Sequence, residues 1–167
     1  MKLHLDYGHQ GLDVELPDGT QVLQMRDIPG LAAVEQRIAG ALDAPIGTLP
    51  LSALARGRGS ACVVIADITR PVPNALILPP ILRTLEAAGM ARQRITILVG
   101  TGLHRPNEGE ELVALVGAEV AAQYRCVNHV ARDRDSLVQI GTTSGGAPIW
   151  IDRVYMEAEL KIATSLI

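Results

Sequence analysis

The sequence predicts an α/β fold, on three observations. The aliphatic runs "ACVVIAD" (61–67) and "RITILVG" (94–100) carry almost no polar alternation, the pattern of strands buried on both faces of a parallel sheet. Each is followed by a loop and then by a segment of helical period, so strand and helix alternate along the chain. The first 28 residues differ in kind: "KLHLD" and "LDVEL" alternate apolar with polar residues, and "PDGT" is a turn signal. Together these give a mostly parallel, Rossmann-like sheet with flanking helices, plus a small N-terminal antiparallel β-meander. The expected organisation is one domain over residues 1–167, with a meander appendage over 1–28 and the main sheet over 61–167.

The elements follow in order. Residues 2–6, 12–16 and 21–25 are the expected meander strands. In "GLAAVEQRIAGALD" (30–43), Leu31, Val34, Ile38 and Leu42 fall at helical spacing. A connector broken by Pro and Gly leads, through a short helix near 50–55, to the strand at 61–67. "ALILPPILRTLEAAGM" ends as a helix near Gly89, with Pro79 and Pro80 expected in its first turn, where a missing N–H costs least. After the strand at 94–100, "NEGEELVALVGAEVAAQY" reads as one helix whose first turn is loaded with acids, as the helix dipole favours. "RCVNHVA" is the next strand. Residues 137–152 read as a hairpin around the Gly-rich "TTSGG", and "AELKIATSLI" reads as a final buried strand.

Composition excludes several function classes. Net charge is -3 with the signs well mixed, and there is one Trp and no Phe. Neither a basic stripe nor a base-stacking platform is available, so no nucleic-acid partner is expected. No apolar run is long enough to span a bilayer, and no signal peptide opens the chain, so no membrane partner is expected. Cys62 and Cys126 are isolated in apolar runs, neither a disulfide framework nor a zinc site, which favours the cytoplasm.

Two loops carry chemistry. "ADITRPVP" (66–73) follows one buried strand, and "GTGLHRP" (100–106) follows the next. In open α/β sheets, ligands bind beyond the C-terminal strand ends, so Asp67, Arg70 and His104 are expected to face one crevice. Pro71 and Pro73 keep the first loop from winding into helix. Arg70 could clamp a carboxylate or phosphate at two points, or pair with Asp67 to order the turn. Asp67 could orient Arg70, accept a ligand hydroxyl or cap the turn. Thr69 is a turn or cap residue whose backbone N–H could also meet an anion. His104 is a candidate general acid/base, or an incidental loop histidine. Arg105 and His129 read as structural, and His4 and His9 carry no signal. "GTGLHR" is neither a Walker loop nor a dinucleotide fingerprint.

The pair "DITRPVP" and "TGLHRP", one strand–helix–strand step apart, resembles the nickel-dependent lactate racemase family, racemases and epimerases of 2-hydroxy acids that use a nickel-pincer nucleotide. The likeness extends through "LPPILRTLEAAGM", "NHVARD" and "LKIATSLI". It implies that Asp67, Ile68, Thr69 and Arg70 touch the pincer nucleotide, that Arg70 helps hold the substrate carboxylate, and that His104 is one of two histidines moving the hydroxyl proton. It also implies a second histidine, a Gly-rich loop bearing the cofactor lysine, and a nickel-ligating histidine, all after the segment matching "LKIATSLI". None is among these 167 residues. The expected partners are therefore a small 2-hydroxy acid and a C-terminal portion, as a second chain or domain, with the chain inactive alone and no metal ligand of its own. Two rival readings stay open. One is a non-catalytic anion-binding or assembly module of α/β fold. The other is an unrelated α/β enzyme working on a phosphate ester, which would want an acidic metal pair or phosphate loop that the sequence lacks.

Overall fold

A computed structural model describes residues 1–166 except His9 and Asp27. The chain divides into two compact units, Met1–Ala32 and Ala33–Ile167.

In the first unit, β1 (Lys2–Leu5) pairs antiparallel with β2 (Leu12–Glu15). Polar partners face each other across the strands, with Lys2 3.7 Å from Glu15 and His4 2.6 Å from Asp13. The sequence predicts a third strand at 21–25, and the structure has none there: the described N-terminal sheet is two-stranded. Leu23 and Met25 are almost fully exposed, so the alternation in "QVLQM" finds no sheet face to bury against. His9 lies outside the described residues.

In the second unit, four parallel strands run in the order β5-β4-β3-β8. These are β3 (Ala61–Ala66), β4 (Ile95–Gly100), β5 (Arg125–Asn128) and β8 (Leu160–Ala163). The two central strands are the two unbroken aliphatic runs. Val63, Ile65, Ile95, Ile97 and Val99 are 0–1% exposed, and they pack against Leu78, Leu82, Leu85, Val116 and Val120 from the helices. β8 is an edge strand and only half-buried, where the sequence suggests a fully buried one. Among the described strands it pairs only with β3; Leu160 and Ile162 pack on the core, while Lys161 and Ala163, on the opposite face, are exposed.

The helices are α1 (Val34–Asp43), α2 (Leu51–Ala55), α3 (Asn74–Ala87), α4 (Gly109–Val116), α5 (Ala118–Gln123) and α6 (Arg153–Glu157). Two depart from expectation. Pro79 and Pro80 sit inside α3, not in its first turn, because the helix already begins at Asn74. They remove the N–H partners of the Ala75 and Leu76 carbonyls, at about 3 kcal/mol per interruption. Burial of Leu78, Ile81, Leu82 and Leu85 on the same helix, at about 1.5–3 kcal/mol each, matches or exceeds that. The single helix expected over 107–124 is two, broken at Gly117, whose φ of 89° lies in the region that glycine alone adopts readily. The hairpin is present as β6 (Leu137–Thr142) and β7 (Pro148–Asp152). α6 was not expected. Its signal is Asp152, whose carboxylate accepts the Val154 N–H as an N-cap.

Candidate active site

Three adjacent strand ends build one cleft. β3 runs into Asp67, β4 into Gly100 and Thr101, and β8 into Thr164 and Ser165. With Arg70, Gly102, Leu103 and His104 they line an open cleft of about 570 Å³. Register explains the meeting. Ala66 lies opposite Gly100, so β3 and β4 end together. Val64 lies opposite Ala163, so β8 ends two residues short of them and its continuation, Thr164 and Ser165, reaches the cleft.

Asp67 is 4% exposed although it heads a surface loop. Its Oδ1 accepts the Thr69 hydroxyl at 2.7 Å and the Thr69 N–H at 3.3 Å, and its Oδ2 lies 2.6 Å from Nδ1 of His104. Burial alone would raise the Asp67 carboxyl, but the hydrogen bonds from Thr69 and His104 and the nearness of the imidazole outweigh it and hold it below the usual aspartate range. An ionised carboxylate only accepts, so it fixes the imidazole proton on Nδ1 and leaves Nε2 as the acceptor.

His104 is placed by a tight turn. Its N–H donates to the Thr101 carbonyl at 2.9 Å, across Gly102 with φ 59°. Thr101 is itself anchored, its hydroxyl donating to the His129 carbonyl. The His104 side chain is 56% exposed, so the held imidazole stays open to the cleft.

Arg70 has neither a hydrogen bond nor an ion pair to its guanidinium among the described residues. Asp67 is engaged by Thr69 and His104 instead, so the reading of Arg70 as a turn-ordering partner of Asp67 finds no support in the geometry. The loop holds its own shape. The Arg70 N–H donates to Asp67 O at 3.1 Å, and Asn74 N–H to Val72 O at 2.8 Å around Pro73, an inverse γ-turn at φ -76°, ψ 62°.

Ile68 and Thr69 do not line the cleft. The Thr69 hydroxyl is turned to Asp67, and Ile68 and Arg70 border a smaller hollow of about 160 Å³ against α4. The backbone N–H groups of residues 68–70 are all used within the protein. Of the four residues expected at the pincer nucleotide, Arg70 therefore keeps free donors for an anion. Gly100, Gly102, Thr164 and Ser165 also line the cleft. The metal is another matter. Among the described residues no group of three or more His, Cys, Asp or Glu could hold an ion.

Sequence reasoning missed Asn107 and Asn128. Asn107 is 2% exposed and bonds Ile68, Glu111 and Asn128. The available signal was two asparagines just beyond strand ends, in "RPNEGE" and "VNHV". Arg105 grips both oxygens of Glu111, at 2.6 and 2.7 Å, and His129 Nδ1 lies 3.1 Å from Asp152, so both have structural partners.

A mostly parallel α/β sheet with a cleft lined by side chains from its strand-end loops is of the open-sheet class, in which ligand sites lie at the C-terminal edge of the strands. Within that class, the chain belongs to the lactate racemase N-terminal domain family, whose family model matches residues 7–167. It is similar to the lactate racemase of Lactiplantibacillus plantarum, 34% identical over 99% of this chain and 40% of that protein. It is also similar to the lactate racemase of Thermoanaerobacterium thermosaccharolyticum, 30% identical over 99% of this chain and 39% of the relative. The solved apoprotein structure of lactate racemase from T. thermosaccharolyticum matches with a TM-score of 0.76 at 30% identity, over 98% of this chain and 38% of that one. The chain thus spans about two fifths of the length of these relatives.

Proposed function

We propose that the chain is the N-terminal domain of a 2-hydroxy acid racemase or epimerase, in which Arg70 holds the substrate carboxylate and His104 moves the hydroxyl proton. The observation that supports this best is the hydrogen-bonded Asp67–His104 pair beside the unpaired Arg70 guanidinium in one cleft. A planar guanidinium makes two charge-assisted bonds to a carboxylate and so fixes the orientation of the neighbouring hydroxyl. The substrate O–H bond breaks, its proton moves to Nε2 of His104, and the imidazolium formed is stabilised by the Asp67 carboxylate. A nickel-pincer nucleotide, when bound, would supply the hydride acceptor and donor. In this chain its anionic part would meet Arg70, and its metal would need ligands from elsewhere. Racemisation needs a proton carrier on each face of the flattened substrate carbon, and His104 serves one. No helix among the described residues is long and apolar enough to cross a membrane, and two free cysteines fit a reducing cytoplasm.

The test is racemisation of each lactate enantiomer by the holoenzyme carrying this domain, wild type against His104→Gln. Turnover should fall to background while substrate still binds. A variant that keeps wild-type turnover would remove His104 from the chemistry.

A further inference from the structure

We infer that Asn107 is a positioning residue: its carboxamide locks the 67–70 loop to the 101–107 loop and so sets Arg70 relative to His104. This rests on the reading that Arg70 and His104 act on one substrate. Asn107 Oδ1 accepts the Ile68 N–H at 3.2 Å, and its Nδ2 donates to Glu111 Oε2 at 3.0 Å. Its backbone is held as well. The Asn107 N–H donates to Asn128 Oδ1 at 2.9 Å, and its carbonyl accepts Asn128 Nδ2 at 3.0 Å. Ile68 stands between Asp67 and Arg70, so the amide grips the first loop at its middle.

The direction of the amide is set electrostatically. The Glu111 carboxylate only accepts, so it takes Nδ2; the Ile68 N–H only donates, so it takes Oδ1. A flipped amide would set oxygen against carboxylate and N–H against N–H. Glu111 is held ionised by the Arg105 guanidinium and by Asn107, which bring its pKa down to about 2. Arg105, adjacent to the working histidine, thus orients Asn107 through Glu111.

Among the described residues the same two loops share one other hydrogen bond, His104 to Asp67, and that link changes charge whenever the proton moves. The Ile68–Asn107 bond contains no titrating group. It keeps the spacing between clamp and base constant while the other link is perturbed. A displacement of about 1 Å at such a site can cost ~100-fold in rate.

The test uses the holoenzyme carrying this domain and compares three forms. Asn107→Asp keeps an oxygen for Ile68 but sets a second carboxylate against Glu111; it should raise the lactate KM and lower kcat/KM by ~10-fold or more. Adding Glu111→Gln gives that carboxylate an amide donor again and should recover most of the loss. On the 167-residue chain, nitrogen NMR should find His104 protonated at Nδ1 in the wild type and redistributed between its two nitrogens in Asn107→Asp. The inference is overturned if Asn107→Asp keeps wild-type kcat/KM and tautomer, or if it loses only melting temperature and the second substitution restores nothing. A fully active His104→Gln enzyme would instead remove the functional reading and take this inference with it.

Discussion

Nδ1 of His104 and Oδ2 of Asp67 lie 2.6 Å apart, although 37 residues separate them and each belongs to the loop after a different strand. The contact sets which imidazole nitrogen can take a proton. Asp67→Asn removes an acceptor-only partner and can offer an N–H instead, which favours the tautomer with Nε2 already protonated. In the holoenzyme, Asp67→Asn should lower kcat by at least ~100-fold, the scale of a lost general base. Polarimetry on either lactate enantiomer measures it. Wild-type kcat would mean that Asp67 only shapes the turn.

Among the described residues the Arg70 guanidinium has no hydrogen-bond or ion-pair partner, so function and stability should separate there. Losing one partner of a shielded charged pair costs on the order of 2–5 kcal/mol, and each ~1.4 kcal/mol is a decade. Arg70→Ala should therefore lower kcat/KM by at least ~10-fold, with ~100-fold the central expectation, and leave the melting temperature within about 1 °C, as for a surface change. Arg70→Lys keeps the charge but loses the planar fork, and should recover only part of the activity. Equal losses of folded protein and activity would assign the loop a structural role.

A polypeptide limited to these 167 residues should not racemise lactate, even with nickel and the mature pincer nucleotide. Its cleft has one candidate proton carrier, and its described residues include no group of three or more His, Cys, Asp or Glu that could hold a metal ion. Chiral chromatography after prolonged incubation decides it: racemate above the no-protein background would mean that this chain completes the site.

The central sheet was legible because β3 and β4 are buried on both faces, so their sequences needed no alternation and read as unbroken aliphatic runs. That the two candidate loops would meet in one cleft was legible because both follow C-terminal strand ends, which lie on one edge of a parallel sheet. Other features depend on tertiary context. Pro79 and Pro80 look like helix starters until the apolar burial of α3 is known. "QVLQM" alternates like a strand but has no partner. Asn107 was invisible as a clamp because its four bonds run to residues 4, 21 and 39 positions away, and only the register of β3, β4 and β5 makes them neighbours. Arg70's freedom from Asp67 was equally unreadable, since nothing in the sequence says that His104 will take the carboxylate.

Acid stability should depend on Glu111, and the sign follows from linkage. Its folded pKa is about 2, against 4.5 for an ordinary glutamate, through the hydrogen bond from Arg105 and then that from Asn107. Asp67 and Glu86 are also held below their usual values. Between the two pKa values the unfolded chain binds more protons than the folded one, so stability rises with pH across that window. The contribution of Glu111 is complete above pH 4.5 and disappears as pH falls toward about 2. Urea midpoints measured through this range should decline for the wild type and decline less steeply for Glu111→Gln, which cannot titrate. Arg105 is 72% exposed, so high salt should weaken the difference. Parallel curves for the two proteins would mean that Glu111 titrates alike folded and unfolded, and that its carboxylate is not held by Arg105 and Asn107 in solution.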